Sequence, residues 1–525
     1  MLAIDAKDKE KIVMPLFRTS RAFIALVSAL GTLALIGVAA YVRQLYLGLG
    51  VTNMDRPVYW STYMVNFIFF IGISHAGTLI SAILRVTGAE WRRPITRVAE
   101  AITVFALMIG TLQIIIDMGR PDRLAFTILN GRLQSPIIWD IVSVTVYFLS
   151  SITYLYLPLM PDAAILRDNC PPDAPAWQVK MYTLLALGWR GNRAQWVRLE
   201  KGIAFLAVFI IPVAISVHSI ISWILATTVQ PGWHSTIFGP YFVIGAIFSG
   251  IGALFLAMTG IRKALGLEEY IGLRQYRNLG LLFLTMNALW FYFTYAENLG
   301  IAAGQQPEEF VVLAAKLWGE FAPTFWLMIL MMVAAFWILV VPKLLPASVE
   351  RVEVFQPRVA FASVGAAVIL FALVSLSPRT PALAALSTAN SLTLAWAAII
   401  ALLIFAALGV TFWLKAHPVA SATIAGGIVL VGMWLERWNI ILPTVTHPRL
   451  IPYAAYFPSL TEGLVTLGSL ALFVMMFVVF FKFFPAVSIW EVAEGRVIEA
   501  AQSKNIMPAP EPSKTGLLRP RKFKL

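Results

Sequence analysis

About twelve runs of roughly twenty predominantly apolar residues follow one another along this chain. They fall at about 22–47, 59–86, 95–118, 136–160, 202–229, 237–261, 277–297, 322–342, 359–377, 390–414, 420–442 and 459–483. A helix of that length, at about 1.5 Å per residue, matches the roughly 30 Å hydrocarbon core of a bilayer. The sequence therefore predicts an all-α polytopic membrane protein. Composition agrees: the 525 residues are 59% hydrophobic and 13% charged, where a soluble protein carries about a quarter charged residues.

Charge predicts how the runs are threaded. With the N-terminus inside and the spans alternating, 31 of the 40 Lys and Arg fall in inside segments. The nine left outside are Arg43, Arg56, Arg120, Arg123, Arg132, Lys316, Arg379, Arg437 and Arg449. This asymmetry is the positive-inside pattern, and an odd number of spans would scramble it, so both termini are expected in the cytoplasm. The same loops account for the net charge of +13, which points to membrane lipid and away from nucleic acid. The basic lead before Ala22 is followed by a run too long for a signal peptide, so it reads as an uncleaved first span. The one long inside loop, 161–201, contains Pro161, Pro171, Pro172 and Pro175. The tail beyond 485, with Pro508, Pro510 and Pro512, reads as extended and close to the anionic inner leaflet or a partner.

A single cysteine, Cys170, excludes an intrachain disulfide and a cysteine-ligated iron–sulfur cluster held by this chain alone. Five histidines leave few options for a metal, so any redox metal is expected on a partner subunit. Two histidines on neighbouring helices can clamp a haem, but a b-type dihaem site would consume four.

Ionisable groups at membrane depth are costly and are usually kept for protons, ions or substrates. His75 lies about mid-span in the second run, and Asp117 closes the third within Asp117-Met-Gly-Arg120-Pro-Asp122-Arg123. Asp140 stands about one turn into the fourth run, and His218 follows Pro212 in the fifth. Four consecutive helices thus offer four ionisable groups that can converge in the outer half of one bundle. A histidine with carboxylates in an apolar cleft suits a quinol, which must lose two protons as it gives up two electrons. Trp139, Trp223, Phe67 and Phe70 are candidate apolar walls for its ring. Each group has a structural alternative: interhelical hydrogen bonding for the histidines, capping or pairing with Arg120 or Arg123 for Asp117, and ordinary packing for the aromatics.

A proton path is sketched by Glu100 near the inner end of the third run, with Tyr147 and Tyr154 on the fourth. Glu297, Glu436 and Glu462 form a second polar group, equally readable as an ion-pair network that fixes helix packing. His234, on a short outer loop, packs or faces a partner.

Taken together, Ile73-Ser-His75-Ala-Gly77, the Asp117–Arg123 heptapeptide and Ser135-Pro136…Trp139-Asp140 resemble the NrfD/PsrC family of polysulfide-reductase-type membrane subunits. Val217-His218-Ser219, Pro231-Gly-Trp-His234, Trp434…Trp438 and Pro458…Glu462 look most like the quinol-binding subunit of alternative complex III. The resemblance implies two four-helix bundles and a quinone site in the first, with His75, Asp117, Asp140 and His218 as its set. It implies quinone or menaquinone as substrate, and neither haem nor iron–sulfur cluster on this chain. Electrons would pass to an iron–sulfur, molybdopterin-like subunit on the outer face, and in alternative complex III to a multihaem cytochrome c beside a homologous NrfD-type subunit. The setting would be the inner membrane of a bacterium.

On this reading 1–58 is an N-terminal segment and first span, 59–230 the first bundle with the quinone site, and 231–346 the first part of the second bundle. Residues 347–418 are a two-span insertion relative to the family, 419–485 completes the second bundle and adds the last span, and 486–525 is a cytoplasmic tail. The main expectation is a subunit of a quinol-oxidising complex, with possible proton translocation. The same module can instead serve as the quinone-reactive anchor of a molybdopterin or other oxidoreductase. A proton-coupled secondary transporter is the third class, against which stands the lack of a clear inverted repeat.

Overall fold

The computed structural model describes residues 5–344 and 409–503, with isolated positions between 362 and 402. Among the described residues ten helices are long and apolar enough to cross a membrane. They are α1 (Arg21–Leu47), α2 (Thr62–Val86), α3 (Thr96–Asp117), α4 (Pro136–Asp168), α5 (Arg193–Ala226), α6 (Phe238–Ala264), α7 (Leu273–Gly304), α9 (Ala322–Leu344), α10 (Pro418–Thr446) and α11 (Leu460–Phe483). Two more helices matter below: α8 (Pro307–Leu317) and α12 (Ile489–Ser503). The spans expected at 359–377 and 390–414 lie largely outside the described residues.

Helices α2, α3, α4 and α5 pack in a ring, and α6, α7, α9 and α10 pack in a second ring joined to the first through α6 and α2. Helix α1 stands at the edge against α11. Gly37 and Gly468 meet there so closely that a Cβ on Gly37 would lie 2.7 Å from the Gly468 backbone. The tightest approach in the first ring is at Gly77, where a Cβ would sit 1.6 Å from the Ala99 carbonyl oxygen. Only glycine lets α2 and α3 cross there, two residues from His75. Helices α9 and α10 run antiparallel, since Thr324 bonds Asn439 while Gly432 meets Met331 and Met332. The chain therefore leaves α9 and enters α10 at the same face of the protein.

The two terminal segments meet on that face. Asp8 accepts hydrogen bonds from Arg496 and Tyr270, and Glu269 pairs with Lys7 and with Lys11 (3.0 Å). Those two lysines hold the exposed Glu269 carboxyl down to about 2. The opposite end, carrying the loops after α3, α5, α7 and α10, is called the far face here.

Two local expectations are corrected. The long loop does not begin at 161: α4 continues through Pro158 and Pro161 to Asp168, and α5 starts at Arg193 behind an Asn192–Gln195 capping box. Asp162 is the reason the chain stays ordered, because it pairs with Arg97 and accepts from the amides of Ile489 and Trp490 (3.2 Å each). Those amides open α12, so the tail as far as 503 is a docked helix and not an extended strand. Buried Glu491 on α12 then pairs with Arg85 and lies 3.7 Å from Arg92.

Candidate functional site

Polar groups in the first ring are stacked along its axis in three tiers. Nearest the termini, Ser81 donates to Glu100 (3.0 Å), with the buried Tyr154 on α4 beside them. Two turns further along α4, Tyr147 donates to the Ser74 carbonyl (3.1 Å), which also accepts from Thr103 (2.7 Å). This double hydrogen bond fixes the backbone immediately before His75.

His75 and His218 form the middle tier. Both are fully buried, and their ring centroids lie 4.0 Å apart in an edge contact, with the Tyr147 ring 5.2 Å from His75. At that separation no space remains between the rings for a clamped iron. Their hydrogen bonding is opposite in kind. His75 has both nitrogens against backbone carbonyls, Nδ1 at Ile71 (2.9 Å) and Nε2 at Ala214 (2.5 Å). A singly protonated ring can donate to only one of them, whereas a second proton lets it donate to both. His218 has neither nitrogen partnered among the described residues. A buried group without partners costs free energy, so such groups call for a functional explanation.

Asp140 and Asp117 make the far tier, each with its Oδ1 buried and unpartnered among the described residues. Asp140 stands two turns from Tyr147 on α4, about 10 Å along the axis. Asp117 is turned elsewhere: its ionisable neighbours are Glu462 and Tyr63, on the side where Tyr63 bonds Gln44 (2.7 Å) and Gln44 bonds the Ile116 carbonyl (3.1 Å). Of the four ionisable groups expected to converge, the two histidines touch, and the two aspartates lie towards the far face on different sides.

Several expected roles change. Trp223 is 56% exposed and faces outward, so it is no wall of this site. Phe70 is buried, but against Phe473 of α11 and Phe69. Trp139 is partly exposed and donates to the Leu133 carbonyl; it lines a separate apolar groove of about 410 Å³ between α4 and α5. Arg120 pairs with Asp122 (2.9 Å) on the surface and not with Asp117. Glu462 closes a capping box at the start of α11, accepting from the amides of Ser459 (2.8 Å) and Asn53 (3.1 Å) and from Tyr456. These bonds give it a structural task. His234 contacts the Thr228 carbonyl (3.2 Å) on the far-face loop.

In the second ring Glu436 and Arg437 are buried together, 2.8 Å apart, and Trp290 donates to Glu436 (3.3 Å). Glu297 accepts from Ser235. The residue that sequence reasoning missed is Lys316 on α8, which lines the same cavity as Glu297 and Glu436. Its signal was present, since Lys316 and Arg437 are two of the few basic residues assigned to the outside.

A sequence profile of the family described as polysulphide reductase, NrfD, matches residues 50–373, more than half of the chain. A Halobacterium salinarum protein named as a membrane subunit of dimethyl sulfoxide reductase is 29% identical over 43% of this chain and 50% of its own length. A selenate reductase subunit of Mesobacillus selenatarsenatis is 24% identical over 42% of this chain and 53% of its own. The Hdr-like menaquinol oxidoreductase integral membrane subunit of Archaeoglobus fulgidus is 23% identical over 59% and 69% respectively. The chain thus spans about half the length of the first two relatives.

Proposed function

The chain belongs to the polysulphide reductase NrfD family, and from that premise we propose that it is the quinone-reactive membrane subunit of an oxidoreductase complex. Quinol or quinone reacts at the His75–His218 pair, and electrons pass to or from an iron–sulfur partner docked at the far face. The observation that carries this reading is the buried pair itself, one ring engaged by backbone at both nitrogens and the other with neither nitrogen partnered among the described residues.

The difference assigns the roles. His218 is the group free to accept a proton from a quinol hydroxyl. His75 is held by two carbonyls and steadies its neighbour, and it can take a second proton without losing a hydrogen bond. Asp140, two turns nearer the far face and with its Oδ1 unpartnered among the described residues, receives the proton on its way out, while Asp117 serves the rim. Glu100 and Tyr154 supply polar groups on the side of the termini. The positive-inside pattern makes the far face the outer one, and a bacterial inner membrane is the natural setting.

The relatives' names include two reductases and one menaquinol oxidoreductase. They favour the quinone-reactive anchor of a molybdopterin or other oxidoreductase over an alternative complex III. The latter rests on the Val217-His218-Ser219, Pro231…His234, Trp434…Trp438 and Pro458…Glu462 segments. Of these, Trp434 and Glu462 have packing tasks, with Trp434 donating to Asn66 (2.9 Å) and Glu462 capping α11.

The test is electron transfer between a menaquinol analogue and an artificial acceptor, in membranes holding the whole complex. Replacement of either histidine should abolish it while the complex still assembles. Wild-type turnover in both His75→Ala and His218→Ala would refute the reading.

A further inference from the structure

Across α6 from the histidine pair lies a second polar site. A cavity of about 30 Å³ is lined by Tyr241, Glu297, Lys316, Glu436 and Asn439. A buried water needs roughly 10–15 Å³ of such space and two to four polar partners, so the cavity has room for one or two waters. Its polar atoms are ready for them. Glu436 is 1% exposed and Glu297 8%; Glu297 Oε1 has no hydrogen-bond partner among the described residues, and Glu436 Oε2 lies 2.8 Å from Arg437 Nη1. The other oxygens are taken: Glu297 Oε2 by Ser235 and Glu436 Oε1 by Trp290. Two acids face two bases here, Lys316 and Arg437, so the group is neutral with all four ionised, and a proton shared between the two acids through water leaves that total unchanged.

This site is wired to the first ring. Arg437 stacks over the Phe242 ring at 4.9 Å, and that ring lies 6.4 Å from His218. Gly245 makes the room, since a Cβ there would come within 2.8 Å of Arg437 Nη2. A positive charge arriving on the histidine pair therefore acts on Arg437, and through the ion pair on Glu436. In so apolar a setting that repulsion is only weakly screened.

We propose that this cavity holds water sharing a labile proton between Glu436 and Glu297, and that Arg437 couples its protonation to the charge on His75 and His218. The coupling rests on the quinone reading above; the water site does not. Glu297, held by Ser235 of the far-face loop, is the end from which the proton exchanges with solvent. No electron enters the site, and the proton gained by one carboxylate is the one lost by the water or by the other.

Two measurements on the whole complex separate the claims. A high-resolution cryo-electron map should show ordered water within hydrogen-bond distance of both carboxylates; a dry cavity overturns the proposal whatever the quinone chemistry. Electrochemically triggered infrared difference spectra should contain a deuterium-sensitive carboxylic-acid carbonyl band that is lost in both Glu297→Gln and Glu436→Gln. Arg437→Lys, which keeps the charge, should retain it. Spectra unchanged in both glutamine variants overturn the coupling. If wild-type complex transfers no electrons to or from quinone, the proposed function fails and the water density still decides the cavity.

Discussion

The ends of the first ring bury ionisable groups in opposite ways. Towards the termini Arg97 meets Asp162, and Arg85 and Arg92 meet Glu491, so these two carboxylates face guanidinium groups, while Glu100 beside them is held only by Ser81 and keeps one oxygen without a partner among the described residues. From mid-span to the far face, His218, Asp140 and Asp117 keep buried polar atoms with no partner among the described residues. The first arrangement ties α12 and the α4 extension to the ring. The second accepts the cost of unmet hydrogen bonds and is the one built to react. Burial alone does not separate the two; the presence of a partner does.

The comparison breaks first at His218. If its free nitrogens serve the reaction, His218→Ala should lower quinol-dependent electron transfer by about 10²–10⁴-fold, the usual range for a positioned acid–base group. Assembly, read by co-purification of the partner subunits, should be unchanged. At the other end, Glu491→Gln should cost about 3–5 kcal/mol of stability, the penalty for removing one partner of a buried pair, with quinone affinity untouched. Thermal unfolding in detergent measures it.

Acid should imitate that substitution. Burial pushes the Glu491 carboxyl up, but Arg85, Arg92, Arg93 and Arg97 together outweigh it and hold it below its ordinary value. The stabilisation is therefore complete above the unfolded carboxylate value of about 4.3. It fades as pH falls through the lower folded value. Limited proteolysis at graded pH should release the 489–503 helix only in acid, and release at neutral pH would contradict the pairing.

Smaller effects sharpen the contrast. Gly77→Ala forces a Cβ against the Ala99 carbonyl, and overpacking of this kind typically costs about 1–3 kcal/mol. It should also displace His75 and slow turnover. Trp223→Ala and Arg120→Ala, which touch neither arrangement, should leave turnover within about twofold by the same electron-transfer assay.

How much of this was legible follows from what an apolar sequence encodes. Span length and order read directly from the runs, because hydrocarbon thickness sets them. The histidine pair was half legible: its residues stood out as ionisable groups in apolar helices, but their contact did not. Which way a side chain faces was not legible at all for Trp223 and Phe70. A membrane helix that is apolar all round has no polar face to mark its lipid side. The continuation of α4 through Pro158 and Pro161 depends on Arg97 and α12, which are distant in sequence. Lys316 and Arg437 were visible as basic residues on the wrong side of the charge pattern; Arg437 proves to be buried and Lys316 half-buried.

The central claim is that the substrate ring meets His218, and the most direct measurement is a cryo-electron structure of the complex with a naphthoquinone bound. A quinone oxygen is expected within hydrogen-bond reach of a His218 ring nitrogen, about 2.6–3.2 Å, with His75 still held by Ile71 and Ala214. Quinone bound elsewhere, with the histidine pair unchanged, would contradict it.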